Sequence, residues 1–139
     1  MENRGSFLYR QRTAILFILI LMWIGAFVAT HIPARYIPRQ IVCLGDFVLH
    51  GIGFLGLSSW FILTVAAFGI KPVQRIPLVL LVMMVYGAMD EYTQQFFGRS
   101  TELKDWITDT TATVVSLILW ETILFLAQRT TRTKISQNE

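Results

Sequence analysis

Residues 14–30 read AILFILILMWIGAFVAT, an uncharged stretch of about 17 residues, close to the shortest length at which a helix crosses the hydrocarbon of a bilayer. Arg4, Arg10 and Arg12 precede it, and His31-Ile32-Pro33 ends it. A secretory signal would share the basic start, but its apolar region is usually about 7–15 residues and closes on a small-x-small cleavage site. The stretch therefore reads as a retained first span, and the chain downstream stays as apolar as a membrane protein requires.

Three more runs follow. Pro33 and Pro38, with Arg35 and Arg39, forbid one continuous helix and mark a break. A second span over about 45–68 contains Asp46 and His50, and Gly69 with Lys71-Pro72 ends it. The turn to Arg75 then starts the next helix, with Pro77 in its first turn. The third apolar run, Ile76 to Met89, is too short to cross alone and must continue through Asp90, Glu91 and Gln94, giving a span over about 76–97. A fourth span over about 106–127 follows the loop from Arg99 to Lys104. The expected fold is all-α: an integral membrane bundle of four transmembrane helices. A basic segment, 1–13, precedes the domain at 14–127, and a polar tail, 128–139, without apolar pattern, is expected to be disordered.

The composition agrees, with 54% hydrophobic and 15% charged residues in a single domain of 139. The net charge of +3 is spread singly between apolar blocks, so no nucleic-acid partner is indicated. One cysteine, Cys43, excludes an intrachain disulfide and a cysteine-based zinc cluster. Of the basic residues flanking the spans, Arg4, Arg10, Arg12, Lys71, Arg75, Arg129, Arg132 and Lys134 fall on one side. Arg35, Arg39, Arg99 and Lys104 fall on the other. The positive-inside rule then puts both termini in the cytoplasm (N-in/C-in).

That topology gathers the intramembrane polar residues near the outer face. Asp46 and His50 open the second span, Asp90, Glu91 and Gln94 close the third, and Asp105 and Asp109 open the fourth. The i,i+3 and i,i+4 spacings let each helix turn its polar group toward one centre, and the cost of charge inside a span, roughly 2.5–3.5 kcal/mol, favours convergence. Asp46 and Asp105 also suit helix N-terminal turns, where capping is the plainer reading. Asp90 and Glu91 sit at a helix C-terminus, where the dipole disfavours carboxylates, so a cation is required, and Arg99 is the nearest in sequence. His31 reads as an interfacial residue. Glu121, in the inner half of the fourth span and near Arg129, reads as snorkelling or paired. Trp23, Trp60, Trp106 and Trp120 read as interface or packing residues.

The segment from Asp90 to Ser100, DEYTQQFFGRS, followed by DWITD from Asp105 to Asp109, resembles the signature of the VanZ-like family of small bacterial membrane proteins. Glu91 and Gln94 match its E-x-x-Q, Gly98-Arg99-Ser100 its turn, Asp105 and Asp109 its spaced pair, and Asp46 with His50 its earlier Asp-x-x-x-His. The sequence departs from it at Phe97, where many members have proline, at Phe47, where lysine is frequent, and at Ala112 and Ser116, where glycines are usual. The family is named for a protein linked to low-level teicoplanin resistance, so the resemblance implies a bacterial cytoplasmic membrane protein concerned with the cell envelope.

The candidate site is thus Asp46, His50, Asp90, Glu91, Gln94, Arg99, Asp105 and Asp109. Its leading reading is a binding site for an envelope lipid head group or a glycopeptide. The alternatives are a non-enzymatic interaction protein whose polar cluster locks the helices, and a membrane enzyme in which Asp46 holds His50 as general acid or base and Arg99 binds an anion. No nucleophile elbow, H-E-x-x-H or P-loop pattern assigns catalytic residues. No cofactor is expected. A divalent metal held by His50 and the carboxylates is the minor variant, because one histidine among carboxylates suits Mg2+ or Ca2+ at least as well as Zn2+. The bilayer is the partner the composition implies, and homo-oligomerisation is left open.

Overall fold

The computed structural model describes residues 7–36, 45–99 and 101–136; Arg4, Pro38, Arg39, Cys43 and Ser100, used above, lie outside them, as do the side chains of Arg132 and Lys134. The helices are α1 (Phe7–Arg10), α2 (Arg12–Thr30), α3 (Asp46–Ala67), α4 (Pro72–Gln94) and α5 (Leu103–Ser136), with 3-10 turns at Ala34–Tyr36 and Gln95–Phe97. No strand occurs among the described residues, and four helices are long and apolar enough to cross a membrane. The chain is an all-α, multi-pass membrane bundle.

Burial runs inside out relative to a water-soluble bundle. Phe17 is 61% exposed, Leu81 63% and Ile118 66%, whereas Asp90, Asp105, Asp109, Gln94 and Ser116 are each 2% exposed or less. Such an apolar exterior is satisfied by lipid, and the polar interior then supplies the hydrogen bonds that hold the helices together. Only Ile15 and Leu19 of α2 are buried, so this helix lies on the bundle rather than in it.

α3 and α5 form the closest pair, α4 packs against α5, and α2 packs mainly against α3. Small residues set the approach of α3 to α5: a Cβ on Gly51 would stand 3.4 Å from Thr108, Ala112 is buried, and the Ser58 hydroxyl donates to Ser116 at 2.9 Å. Gly87 of α4 is covered by the Phe54 and Trp106 rings. The tryptophans pack and bond inward: Trp60 Nε1 donates to the Ile15 carbonyl at 2.9 Å and Trp106 Nε1 to that of Met84 at 3.0 Å, while Trp23 and Trp120 lie against the core.

Several boundaries differ from expectation. α4 begins at Pro72, whose missing N–H costs nothing at the first helical position, so Pro77 lies inside the helix rather than in its first turn. The turn before it closes on Gly69 at φ 80, a left-handed geometry that glycine adopts without strain. The expected disordered tail is helical to Ser136, because no glycine or proline interrupts residues 103–136 and each added residue extends an existing helix. Residues 7–10 of the basic N-terminal segment are helical as well.

Candidate functional site

Antiparallel connections bring the C-terminal ends of α2 and α4 and the N-terminal ends of α3 and α5 to one end of the bundle, and all eight candidate residues gather there. They do not form one centre. The α-helix turns about 100° per residue, so the adjacent Asp90 and Glu91 address different neighbours.

Asp90 faces α2. It accepts from the Thr30 hydroxyl at 2.7 Å and from Gln94 Nε2 at 2.8 Å, and its carboxylate lies 3.8 Å from His31 Nδ1. His31, at the end of α2, is only 6% exposed and packs within the bundle. Its ring stacks on Phe27, with Nδ1 2.7 Å from the Phe27 carbonyl and Nε2 2.8 Å from the Thr93 hydroxyl. This network fastens α2 to α4. Thr30 and Thr93, which complete it, carried no signal in the sequence beyond their position at helix ends.

Glu91 faces α3 and α5. Its Oε2 accepts the backbone N–H of Glu102 at 2.9 Å, and the Thr101 hydroxyl donates to its carbonyl at 3.0 Å. It therefore latches the 98–102 loop onto α4, across the turn that Gly98 makes at φ 73. Glu91 Oε1 lies 3.8 Å from His50 Nε2. The residue that orients His50 is Asp109, whose carboxylate oxygens stand 3.2 and 3.3 Å from Nδ1, and not Asp46 as expected from spacing. The side chain four residues earlier on α3 points to the mouth of the bundle, whereas α5 runs alongside at His50.

Asp46 instead pairs with Arg99. The guanidinium bonds both Asp46 oxygens, one at 2.6 Å, and donates to the Thr30 carbonyl at 3.0 Å. Arg99 thus does not neutralise Asp90 or Glu91. It ties the loop to the end of α2 and the start of α3. At the other end of the bundle, Glu121 is paired, but with Arg75 through bonds of 2.6 and 2.7 Å and not with Arg129.

Beside this cluster a cavity of about 320 Å3 opens between α2, α3 and α4. Ala26, Ala29, Leu49, Gly53 and Leu57 give it apolar walls, while Asp46, His50 and Arg99 stand at its polar end and Tyr86 lines it deeper. The Tyr86 hydroxyl is buried and has no hydrogen-bond partner among the described residues. Tyr86 was not a candidate by sequence; its place one turn before Asp90 on the same helix was the available signal.

His50, Glu91 and Asp109 bring ligand atoms within 4.8 Å of one another, as do Asp46, His50 and Asp105, so His50 belongs to two groups that could hold a metal. No family model matches this chain, and no curated protein and no solved structure matches it.

Proposed function

We propose that this chain is a VanZ-like protein of the bacterial cytoplasmic membrane, both termini cytoplasmic, that binds a cell-envelope amphiphile at the outer end of its bundle. The apolar part of the ligand lies between α2 and α3, and its polar head meets Arg99, Asp46 and His50. The observation that carries this reading is the cavity, whose walls are mainly apolar and whose charged residues stand at one end, with a volume in the range of small-ligand pockets. The unpartnered Tyr86 hydroxyl gives a ligand a further hydrogen-bonding group inside.

The helix-lock alternative has its own support at Asp90, Gln94, Thr30 and His31, whose contacts are made within the protein. These four residues act structurally, and the ligand site is the remainder of the cluster.

Gly53 provides the test, because a side chain built there meets nothing within 4 Å and enters the cavity. Purified protein in bilayer discs, exposed to a photoactivatable anionic phospholipid, is expected to crosslink within 46–57, and folded Gly53→Phe is expected to lose that crosslink. Equal crosslinking of the two proteins, or none in the wild type, would refute the amphiphile reading.

A further inference from the structure

We infer that the Tyr86 hydroxyl donates to the ester carbonyl of the bound amphiphile, so that the cavity selects acyl-linked over ether-linked lipids. This inference rests on the amphiphile reading and concerns the part of the ligand just below its head.

The first support is the chemistry around the hydroxyl. Its oxygen is buried and has no hydrogen-bond partner among the described residues, whereas a buried tyrosine ordinarily finds one. Asp90, one turn further along α4, is already engaged: one oxygen accepts from Thr30 and the other from Gln94. Ala26, Ala29, Gly53, Phe54 and Leu57, which line the cavity with Tyr86, have no polar side-chain atom. Trp23 packs edge-on against the Tyr86 ring with centroids 5.8 Å apart, and its Nε1 is likewise buried without a partner among the described residues. An indole N–H only donates, so this region is short of acceptors and not of donors. A ligand that completes it brings an acceptor.

The second support is depth. Asp90 is bonded to the Thr30 hydroxyl, and the Thr30 carbonyl accepts from Arg99. One turn of helix, ~6 Å at about 1.5 Å per residue, therefore separates Tyr86 from the polar end of the cavity. In a diacyl lipid a glycerol unit sets the ester carbonyls a comparable distance below the head group. The chains then continue along Gly53 and Leu57.

The third support is placement. The Tyr86 ring is held between Trp23 and Phe54, whose ring centroid is 5.7 Å away, so the donor is positioned before a ligand arrives. A fixed, buried donor discriminates against a ligand that leaves it unpaired. An ether oxygen is a weaker acceptor than a carbonyl.

The experiment is competition for crosslinking of the full chain by a photoactivatable phosphatidylglycerol, in discs with a diether phosphatidylcholine matrix. The competitors are diester and diether phosphatidylglycerol of equal chain length. The diester is expected to compete about fivefold better in the wild type and no better in folded Tyr86→Phe. Tyr92→Phe, at an exposed position of the same helix, is expected to keep the preference. Equal competition in the wild type, or an undiminished preference in folded Tyr86→Phe, would overturn the inference and leave the amphiphile reading standing. No crosslink at all in the wild type would remove both. If Tyr86→Phe fails to fold, position decides: a diester lipid with a diazirine on the carbon next to the carbonyl is expected to label Gly53, Phe54 or Tyr86 in the wild type, and labelling elsewhere would overturn the assignment.

Discussion

Two arginine–carboxylate pairs in this bundle have the same chemistry and different worth. Arg75 is buried and grips both oxygens of Glu121, so replacing it alone leaves a carboxylate stranded between helices. Breaking such a pair costs about 3–5 kcal/mol, and Arg75→Gln is expected to fall at the lower end, because the Glu121 side chain keeps 17% exposure. Arg75→Met combined with Glu121→Leu is expected to recover most of that loss, since no charge is then left behind. Unfolding in detergent, followed by helical circular dichroism, compares the two; equal loss in the single and double variants would contradict the argument. The Arg99–Asp46 pair stands at the mouth with the Asp46 side chain 42% exposed, where solvent screening limits its contribution to stability. Its consequence is positional: it fixes the loop that carries Glu91's partner, Glu102. Sequence reasoning found these charged residues because ionisable groups inside spans are few and costly. It mispaired them because the nearest cation in the chain is not the nearest in space. Arg99 was matched to Asp90 or Glu91 by sequence distance, but Gly98 turns the chain so that the guanidinium reaches α2 and α3 instead.

Among the helices, apolar length is what the sequence made legible. The four spans follow from uncharged runs, and the helices extend beyond them by a few residues at Arg12, Pro72 and Leu103 and further past Ala127. Which helices pair closely was legible only in part. Ala112 and Ser116 are small residues four apart on α5, a spacing that permits close approach, and the partner is α3, through Gly51, Ser58 and Ser59. Lipid does not drive two apolar helices together, so this contact rests on packing and hydrogen bonds between small side chains. The Ser116 hydroxyl accepts from Ser58 and donates to the Leu55 carbonyl at 3.1 Å. Ser116→Ala therefore removes modest bonds whose other partners keep intrahelical contacts, and a cost of about 1 kcal/mol is expected. Ser116→Leu adds volume at a fully buried position and is expected to cost about 1–3 kcal/mol or more by forcing α3 and α5 apart. The same unfolding measurement ranks them, and a leucine variant as stable as the alanine one would mean that the α3–α5 contact is not limiting.

Across the whole molecule, polarity is divided by end. One end holds the cavity, His50 and the carboxylates, and the other holds the Arg75–Glu121 pair alone among the buried ion pairs of the described residues. Because Arg75 is internal and neutralised, it no longer counts as a flanking positive charge, yet the remaining basic residues still favour the end that carries Lys71 and Arg129. The positive-inside rule then predicts that the cavity end faces outward. Single cysteines in a Cys43→Ser background read this directly, at exposed positions: Tyr36 and Leu103 at the cavity end, 66% and 71% exposed, and Val73 at the other, 77% exposed. An impermeant thiol reagent added to intact cells is expected to label Tyr36→Cys and Leu103→Cys, and to reach Val73→Cys only after the cells are opened. The reverse pattern would turn the cavity toward the cytoplasm and replace an envelope ligand with one drawn from the inner leaflet. The orientation, and not the fold, therefore decides which side of the membrane supplies the ligand.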